Sequence, residues 1–153
     1  MKLVTAFLGL GSNLGNRAGY LEDALQSLDA HQCIRILARS SMYDTDPVGE
    51  IAQPNFLNMV VEIETSLPPP ELLELCLTIE ESNGRVRSVK WGPRTLDIDI
   101  LFYSNKIIEI DGLRIPHPEA HRRLFVVKPM AEIAESFNHP VLNEQISSIL
   151  QLL

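Results

Sequence analysis

Phe56-Leu57-Asn58-Met59-Val60-Val61-Glu62-Ile63-Glu64-Thr65 reads as a β-strand with two unlike faces. Phe56, Asn58, Val60 and Glu62 fall on one side of it, and Leu57, Met59, Val61 and Ile63 on the other. An amide at Asn58 interrupts an apolar side. A buried amide needs partners, so Asn58 either bonds the neighbouring loop or reads the polar edge of a ligand.

Upstream of this strand, residues 44–55 have no periodicity and carry Pro47, Gly49 and Pro54. A loop of that length inside a compact domain is more often functional than idle. Residues 33–43 before it predict a strand, with Ile34, Ile36 and Ala38 alternating against Arg35, Leu37 and Arg39. Residues 3–10 predict a buried strand ending at Gly11-Ser12-Asn13. A helix follows, with Asn16 as N-cap and Leu21, Ala24, Leu25 and Leu28 along one face. The apolar start has no small-residue cleavage pattern and runs straight into that helix, so a first strand is the better reading than a signal peptide.

Downstream, prolines 69 and 70 suit the first turn of a helix whose buried stripe is Leu72, Leu75, Cys76 and Ile79, closed by Asn83-Gly84. Residues 95–103 predict a strand, with Ser104-Asn105-Lys106 turning into a hairpin partner at residues 107–110. Pro116-His117-Pro118, the apolar segment Phe125-Val126-Val127 and an amphipathic helix from about Asn143 complete the chain. The order β-α-β-β-α-β over residues 3–103 predicts an α+β, ferredoxin-like sandwich with two helices on one face of an antiparallel sheet. The hairpin and final helix are additions, and residues 1–153 are expected to form a single domain.

A hydrophobic content of 45% against 22% charged residues excludes a disordered chain. No apolar run reaches the ~20 residues of a membrane-spanning helix, which predicts no membrane partner and a cytoplasmic setting. Cys33 and Cys76 lack metal-ligand spacing and are expected to be reduced core residues. The net charge of −7 argues against nucleic acid as the partner. It also hides an asymmetry, because Arg85, Arg87, Lys90 and Arg94 share a stretch without any Asp or Glu. That stretch is either an anion receptor or a solvated basic loop.

The most informative segment is Trp91-Gly92-Pro93-Arg94-Thr95-Leu96-Asp97-Ile98-Asp99-Ile100-Leu101. Strand alternation puts Asp97 and Asp99 on one face, with Ile98, Ile100 and Phe102 on the other. Their Cα atoms would lie roughly 6.6 Å apart, a span that two Mg2+ ions ~3.5–4 Å from each other can bridge. Two solvated aspartates are the plain alternative for an isolated pair. Arginines nearby shift the balance, since guanidinium groups grip phosphate oxygens and Mg2+ combines carboxylates, water and phosphate. A Walker-type glycine loop is absent. His117, His121, Arg122 and Arg123 form a second basic cluster without zinc spacing. His117 between prolines suits a phosphate contact or a simple turn. Phe56 and Phe125, taken singly, are more often core.

These residues resemble the 6-hydroxymethyl-7,8-dihydropterin pyrophosphokinase family of the folate pathway. The resemblance rests on the 91–101 segment together with Gly11-Ser12-Asn13-Leu14-Gly15, Gln53-Pro54-Asn55-Phe56-Leu57-Asn58, Glu80 with Gly84-Arg85-Val86-Arg87, and Pro116-His117-Pro118. It implies transfer of a diphosphate from ATP to the pterin hydroxymethyl group, leaving AMP, with two Mg2+ ions held by Asp97 and Asp99. It further implies Arg85 and Arg94 as catalytic groups beside the two aspartates, and ATP contacts from Glu80, Arg85, Arg87, Trp91, Arg94, Ile100, His117 and Arg123. The pterin would meet Gly11, Thr45, Pro47, Val48 and Asn58, sandwiched by Phe56 and Phe125. Closure of the loops around Val48 and Ser88 is also implied. The chain departs from the family pattern in the short Ser88-Val89-Lys90, in Leu77, and in Asp46 before Pro47.

Two other classes compete: another Mg2+-dependent phosphoryl-transfer enzyme or phosphohydrolase, and a noncatalytic ligand-binding domain of the same fold. Neither explains Asn58 between two aromatics together with an acidic pair beside arginines. Arg94→Ala is expected to lower the transfer rate far more than pterin affinity, measured by turnover and by pterin titration; equal losses in both would contradict a phosphate role.

Overall fold

The computed structural model describes residues 2–47, 52–84 and 95–153. Strand β1 (Val4–Ser12) leads into helix α1 (Arg17–Ala30), where Asn16 caps the helix by accepting the Gly19 N–H at 3.1 Å. Strand β2 (Ile34–Arg39), the short β3 (Tyr43–Thr45) and the long β4 (Phe56–Thr65) follow. Helix α2 (Pro69–Ser82) opens on prolines that have no N–H to lose in a first turn, and ends at Asn83 and Gly84, whose φ is +78°. Strand β5 (Asp97–Tyr103) completes the sheet in the order β2-β4-β1-β5, with antiparallel neighbours throughout. This is the ferredoxin-like arrangement that the element order predicts.

Alternation along the two central strands sorts side chains into two cores. Ala6, Leu8 and Leu10 of β1 and Met59, Val61 and Ile63 of β4 pack with Leu21, Ala24, Leu25 and Leu28 of α1 and Leu72, Cys76 and Ile79 of α2. On the opposite face, Phe7, Val60, Leu101 and Phe102 meet Val126, Val127 and Met130 of α3 (Leu124–Ala134) and Ile146 and Ile149 of α4 (Ile146–Gln151). Each fully buried Leu, Ile or Phe contributes roughly 1.5–3 kcal/mol. The sheet is therefore covered on both faces, so the additions to the sandwich supply a second core.

Three details differ from the sequence-based expectation, each for a local reason, and one segment left without an element gains one. The strand predicted over residues 33–43 is broken at Ser40. The Ser40 hydroxyl accepts the Val60 N–H while its own N–H donates to the Val60 carbonyl, both at 2.9 Å, and β3 resumes on the same edge of β4. Residues 107–110 do not pair with β5. Instead β6 (Ile108–Ile110) pairs with β7 (Leu113–Ile115) around Asp111-Gly112, where Gly112 takes φ +78°. The apolar segment at 125–127 is the start of α3, a helix that keeps Pro129 inside it. The face shared by Ile98 and Ile100 does not include Phe102: a register shift opposite Phe7 and Leu8 inserts Leu101, which turns Phe102 to the α3 side.

Helix α3 is tied to β3 through a single carboxylate. Glu132 accepts the Tyr43 hydroxyl at 2.6 Å, the Ser41 hydroxyl at 2.9 Å and the Ser41 N–H at 3.0 Å. These bonds, led by that from Tyr43, hold the Glu132 carboxyl below its ordinary 4.5, and push the Tyr43 phenol up to about 12. A depressed carboxylate stabilises the fold above its unfolded value and loses that contribution as the pH falls through the lowered one. Tyr43→Phe is expected to cost about 0.5–1 kcal/mol at neutral pH, as exposed hydrogen bonds do. Thermal unfolding should show that difference narrowing as the pH falls below the ordinary carboxylate range and Glu132 becomes protonated.

Candidate active site

The second core stops where β1 runs out of side chains. Phe7 fills the space under α3, but the next residues on that face are Gly9 and Gly11. In register, Asn58, Gly11 and Asp97 form one row across the sheet, and Val60, Gly9 and Asp99 form the next. A Cβ on Gly11 would lie 2.7 Å from Asn58 Oδ1, and one on Gly9 would lie 3.3 Å from the Leu101 side chain. A side chain at position 11 would have to displace Asn58, and one at position 9 would press on Leu101. What remains is a cleft floored by glycine backbone and flanked by two half-buried carboxylates.

Its walls come from both sides. Thr45, Asp46 and Phe56 form one, and Arg123, Phe125 and Val126 at the start of α3 form the other. Asn58 Nδ2 donates to Thr45 Oγ1 at 2.5 Å, which leaves Oδ1 over Gly11. The nitrogen end of this amide is thus bonded to β3, and its oxygen end faces the cleft. Arg123 lies 5.5 Å from the centre of the Phe125 ring, a cation–π approach that places its charge at the rim.

A second cleft runs along the outer edge of β5. It is lined by Ile98, Asp99 and Ile100, by Leu73, by the Glu109–Arg114 turn of the β6–β7 hairpin, and by His117 and Pro118. Asp99 lines both clefts. His117 is fixed by its N–H, which donates to the Leu101 carbonyl at 2.9 Å, and by its Nδ1, which accepts the Glu119 N–H at 3.1 Å. The proton of the neutral ring therefore sits on Nε2. Burial first, and Arg123 second, lower the His117 pKa, against the opposing pull of Asp97 and Glu119. The imidazole is thereby held as a neutral N–H donor near neutral pH.

Glu80 lies elsewhere than in either cleft. It is 2% exposed, and its Oε2 accepts the backbone N–H of Ile98 at 2.7 Å. Cys76, one turn earlier on α2, has its thiol pushed up to about 12, by burial first and then by the charges of Glu80 and Asp99. Both cysteines are free, Cys76 buried and Cys33 half-buried.

The structure brings together Gly11, Thr45, Phe56, Asn58, Asp97, Asp99, Arg123 and Phe125 in the inner cleft, and Ile100 and His117 beside Asp99 in the outer one. Pro47 follows just beyond the rim at Asp46. Val48, Arg85, Arg87, Trp91 and Arg94 lie outside the described residues. Sequence reasoning missed Arg17, which donates to the Asn55 carbonyl at 3.0 Å and to Asp44 at 3.1 Å. It also missed how Asn13 holds the loop, through Gln53 at 2.8 Å and the Pro54 carbonyl at 2.9 Å. Contacts this distant in sequence leave no local signal.

Among the described residues, no three His, Cys, Asp or Glu side chains gather as a metal cluster. Asp97 and Asp99 present hard oxygen donors on one face of the sheet, and Asp99 lines both clefts. That suits Mg2+, which completes its shell with water and phosphate, and does not suit zinc, which wants three or four protein ligands.

Fold and site define a ferredoxin-like α+β protein with an acidic pair where two clefts meet. The chain belongs to the 7,8-dihydro-6-hydroxymethylpterin-pyrophosphokinase (HPPK) family, whose profile matches residues 7–135. It is 51% identical over 130 residues to the 2-amino-4-hydroxy-6-hydroxymethyldihydropteridine pyrophosphokinase of Bacillus subtilis (strain 168), covering 85% of this chain and 78% of that one. It is 42% identical over 144 residues to the protein of the same name from Haemophilus influenzae, covering 94% and 89%. A solved HPPK-DHPS of Plasmodium falciparum with pteroate shares the fold at TM-score 0.79 and 17% identity, covering 99% of this chain and 42% of that one.

Gly11→Ala is expected to destabilise the protein by about 1–3 kcal/mol, the usual cost of overpacking. Adding Asn58→Ala removes the atom that clashes, so the double variant should lose less than the sum of the singles. Additive losses in denaturant unfolding would show that the two side chains do not compete for that space.

Proposed function

We propose that this chain transfers a diphosphate from ATP to the hydroxymethyl group of 6-hydroxymethyl-7,8-dihydropterin, releasing AMP, the pyrophosphokinase step of folate biosynthesis. Its family membership and the names of its relatives support the reaction. The observation that carries the reading is Asp99 at the junction of two clefts, since a transfer between two substrates needs one point that both reach. Small molecules, rather than nucleic acid or a membrane, are the proposed partners, and the cytoplasm the proposed setting.

In this reading the pterin enters the inner cleft. Asn58 Oδ1 accepts from its N–H edge, Thr45 braces that amide, and Phe56 and Phe125 lie against the ring faces. Gly9 and Gly11 let the ring approach the sheet closely. ATP occupies the outer cleft, with the backbone of Ile98–Ile100 available to its base and the His117 Nε2–H and Arg123 to its phosphates. Arg85, Arg87, Trp91 and Arg94 complete the nucleotide contacts, and Val48 and Pro47 the pterin contacts, as the family resemblance implies. Two Mg2+ ions held by Asp97 and Asp99 would neutralise the charge on the phosphates and draw the acceptor oxygen into line. The chain's own contribution is placement and charge, since phosphoryl transfer leaves little covalent work for side chains.

Asp97→Ala is expected to reduce AMP release from ATP and the pterin by about 10³-fold or more. Far-UV circular dichroism should be unchanged. Near-normal turnover with Mg2+ present would end the metal assignment, and AMP release that ignores the pterin would point to a hydrolase.

A further inference from the structure

Helix α2 carries four acidic residues, of which Glu71, Glu74 and Glu81 face solvent and Glu80 turns inward. An inward carboxylate needs strong partners. Glu80 has one in the N–H of Ile98, the residue between Asp97 and Asp99. Strand β5 is the last strand of the sheet on that side. Its N–H groups alternate in direction, so the one at Ile98 points away from β1 toward the edge, where no strand among the described residues receives it. Glu80 stands in for the missing strand at that point.

We infer that Glu80 is a positioning residue for the acidic pair: by fixing the Ile98 peptide from the helix side, it sets the spacing and direction of the Asp97 and Asp99 carboxylates. This rests on the proposed role of that pair as Mg2+ ligands. Several observations converge on it. The bond is short and buried, as charge-assisted bonds to peptide N–H are. It grips the backbone midway between the two aspartates, where a small twist would move both. Glu80 does this without lining either cleft, since Asp99 lines both and Glu80 neither.

The test compares Glu80→Ala, Glu80→Gln and Asp97→Asn with the unaltered protein. Two readouts are independent of turnover: amide exchange of Ile98 by NMR without metal, and the Mg2+ concentration that half-saturates binding of a nonhydrolysable ATP analogue by calorimetry. Glu80→Ala should speed Ile98 exchange by about 100-fold or more, as loss of a buried acceptor does. It should raise the half-saturating Mg2+ about tenfold, and lower kcat more than it raises the KM for pterin. Glu80→Gln keeps an acceptor for Ile98, so its exchange and Mg2+ requirement should stay within about threefold of the unaltered protein. If Glu80→Ala does not fold, Glu80→Asp withdraws the carboxylate by one methylene and should shift both readouts in the same direction. An unchanged Mg2+ requirement in Glu80→Ala or Glu80→Asp, with Asp97→Asn abolishing the Mg2+ response, overturns the inference alone. Glu80→Gln failing as badly as Glu80→Ala also overturns it, because charge and not the bond would then be acting. A Mg2+ response untouched by Asp97→Asn overturns the reading of the acidic pair itself.

Discussion

Asp97 and Asp99 share a face because side chains on a strand alternate, and the residues beside them in register on β1 are Gly11 and Gly9. Two carboxylates about 6–7 Å apart repel by no more than about 2–3 kcal/mol at an effective dielectric near 20, and by less where water reaches both. That is comparable to the gain from burying one core residue. The sheet can hold the pair before any cation arrives, but only with empty space in front of it. The glycines supply the space, so the acidic pair and the glycine row are one constraint.

The same constraint explains why the two ends of the sheet differ. Toward Phe7 and Phe102, both faces are packed, one by α1 and α2 and the other by α3 and α4. Toward Gly11 and Asp97, the described residues leave a cleft on the α3 face. Rigidity is concentrated at one end and the recognition surface at the other. Glu132 and Arg17 bridge them, tying α3 to β3 and α1 to the residues beside the loop at 46–55. A site of this kind needs its side chains held by packed elements rather than by the ligand, because misplacement by an ångström is costly to transfer chemistry.

The sequence makes legible whatever depends on spacing along one element. Asn16, the prolines opening α2 and the strict alternation of β4 each have a local cause, and so does the shared face of Asp97 and Asp99. What escapes it depends on a second segment. Leu101 enters β5 as a bulge because of pairing with β1, and that moved Phe102 to the other core. Ser40 interrupts its strand because the backbone of Val60 receives it. Helix α3 tolerates Pro129 because its apolar face is buried against the sheet, which outweighs local propensity. The turn read at Ser104-Asn105-Lys106 pointed to pairing of residues 107–110 with β5, whereas those residues pair with β7 around Asp111-Gly112. The roles proposed for the site residues come from a resemblance; spacing alone singled out Asp97 and Asp99 and left Asn58, His117 and the two phenylalanines with two readings each.

Strand β5 is the wall between the two clefts, and this limits which residues can take part in a reaction between them. A side chain deep in either cleft sees one occupant only. Asn58 faces the glycine floor on one side of the wall, and His117 stands over the edge on the other. Asp99 is positioned to touch both, with Asp97 beside it on the same face. In the proposed transfer, the acceptor hydroxyl and the phosphate under attack must meet at that rim, because the strand blocks a direct approach anywhere deeper. The rim is where the protein places negative charge, which would repel a triphosphate unless cations sit between them. In the proposed reading, charge at the crossing point would make the encounter of the two substrates conditional on the metal. That condition would rest on one strand whose edge faces one cleft and whose surface faces the other.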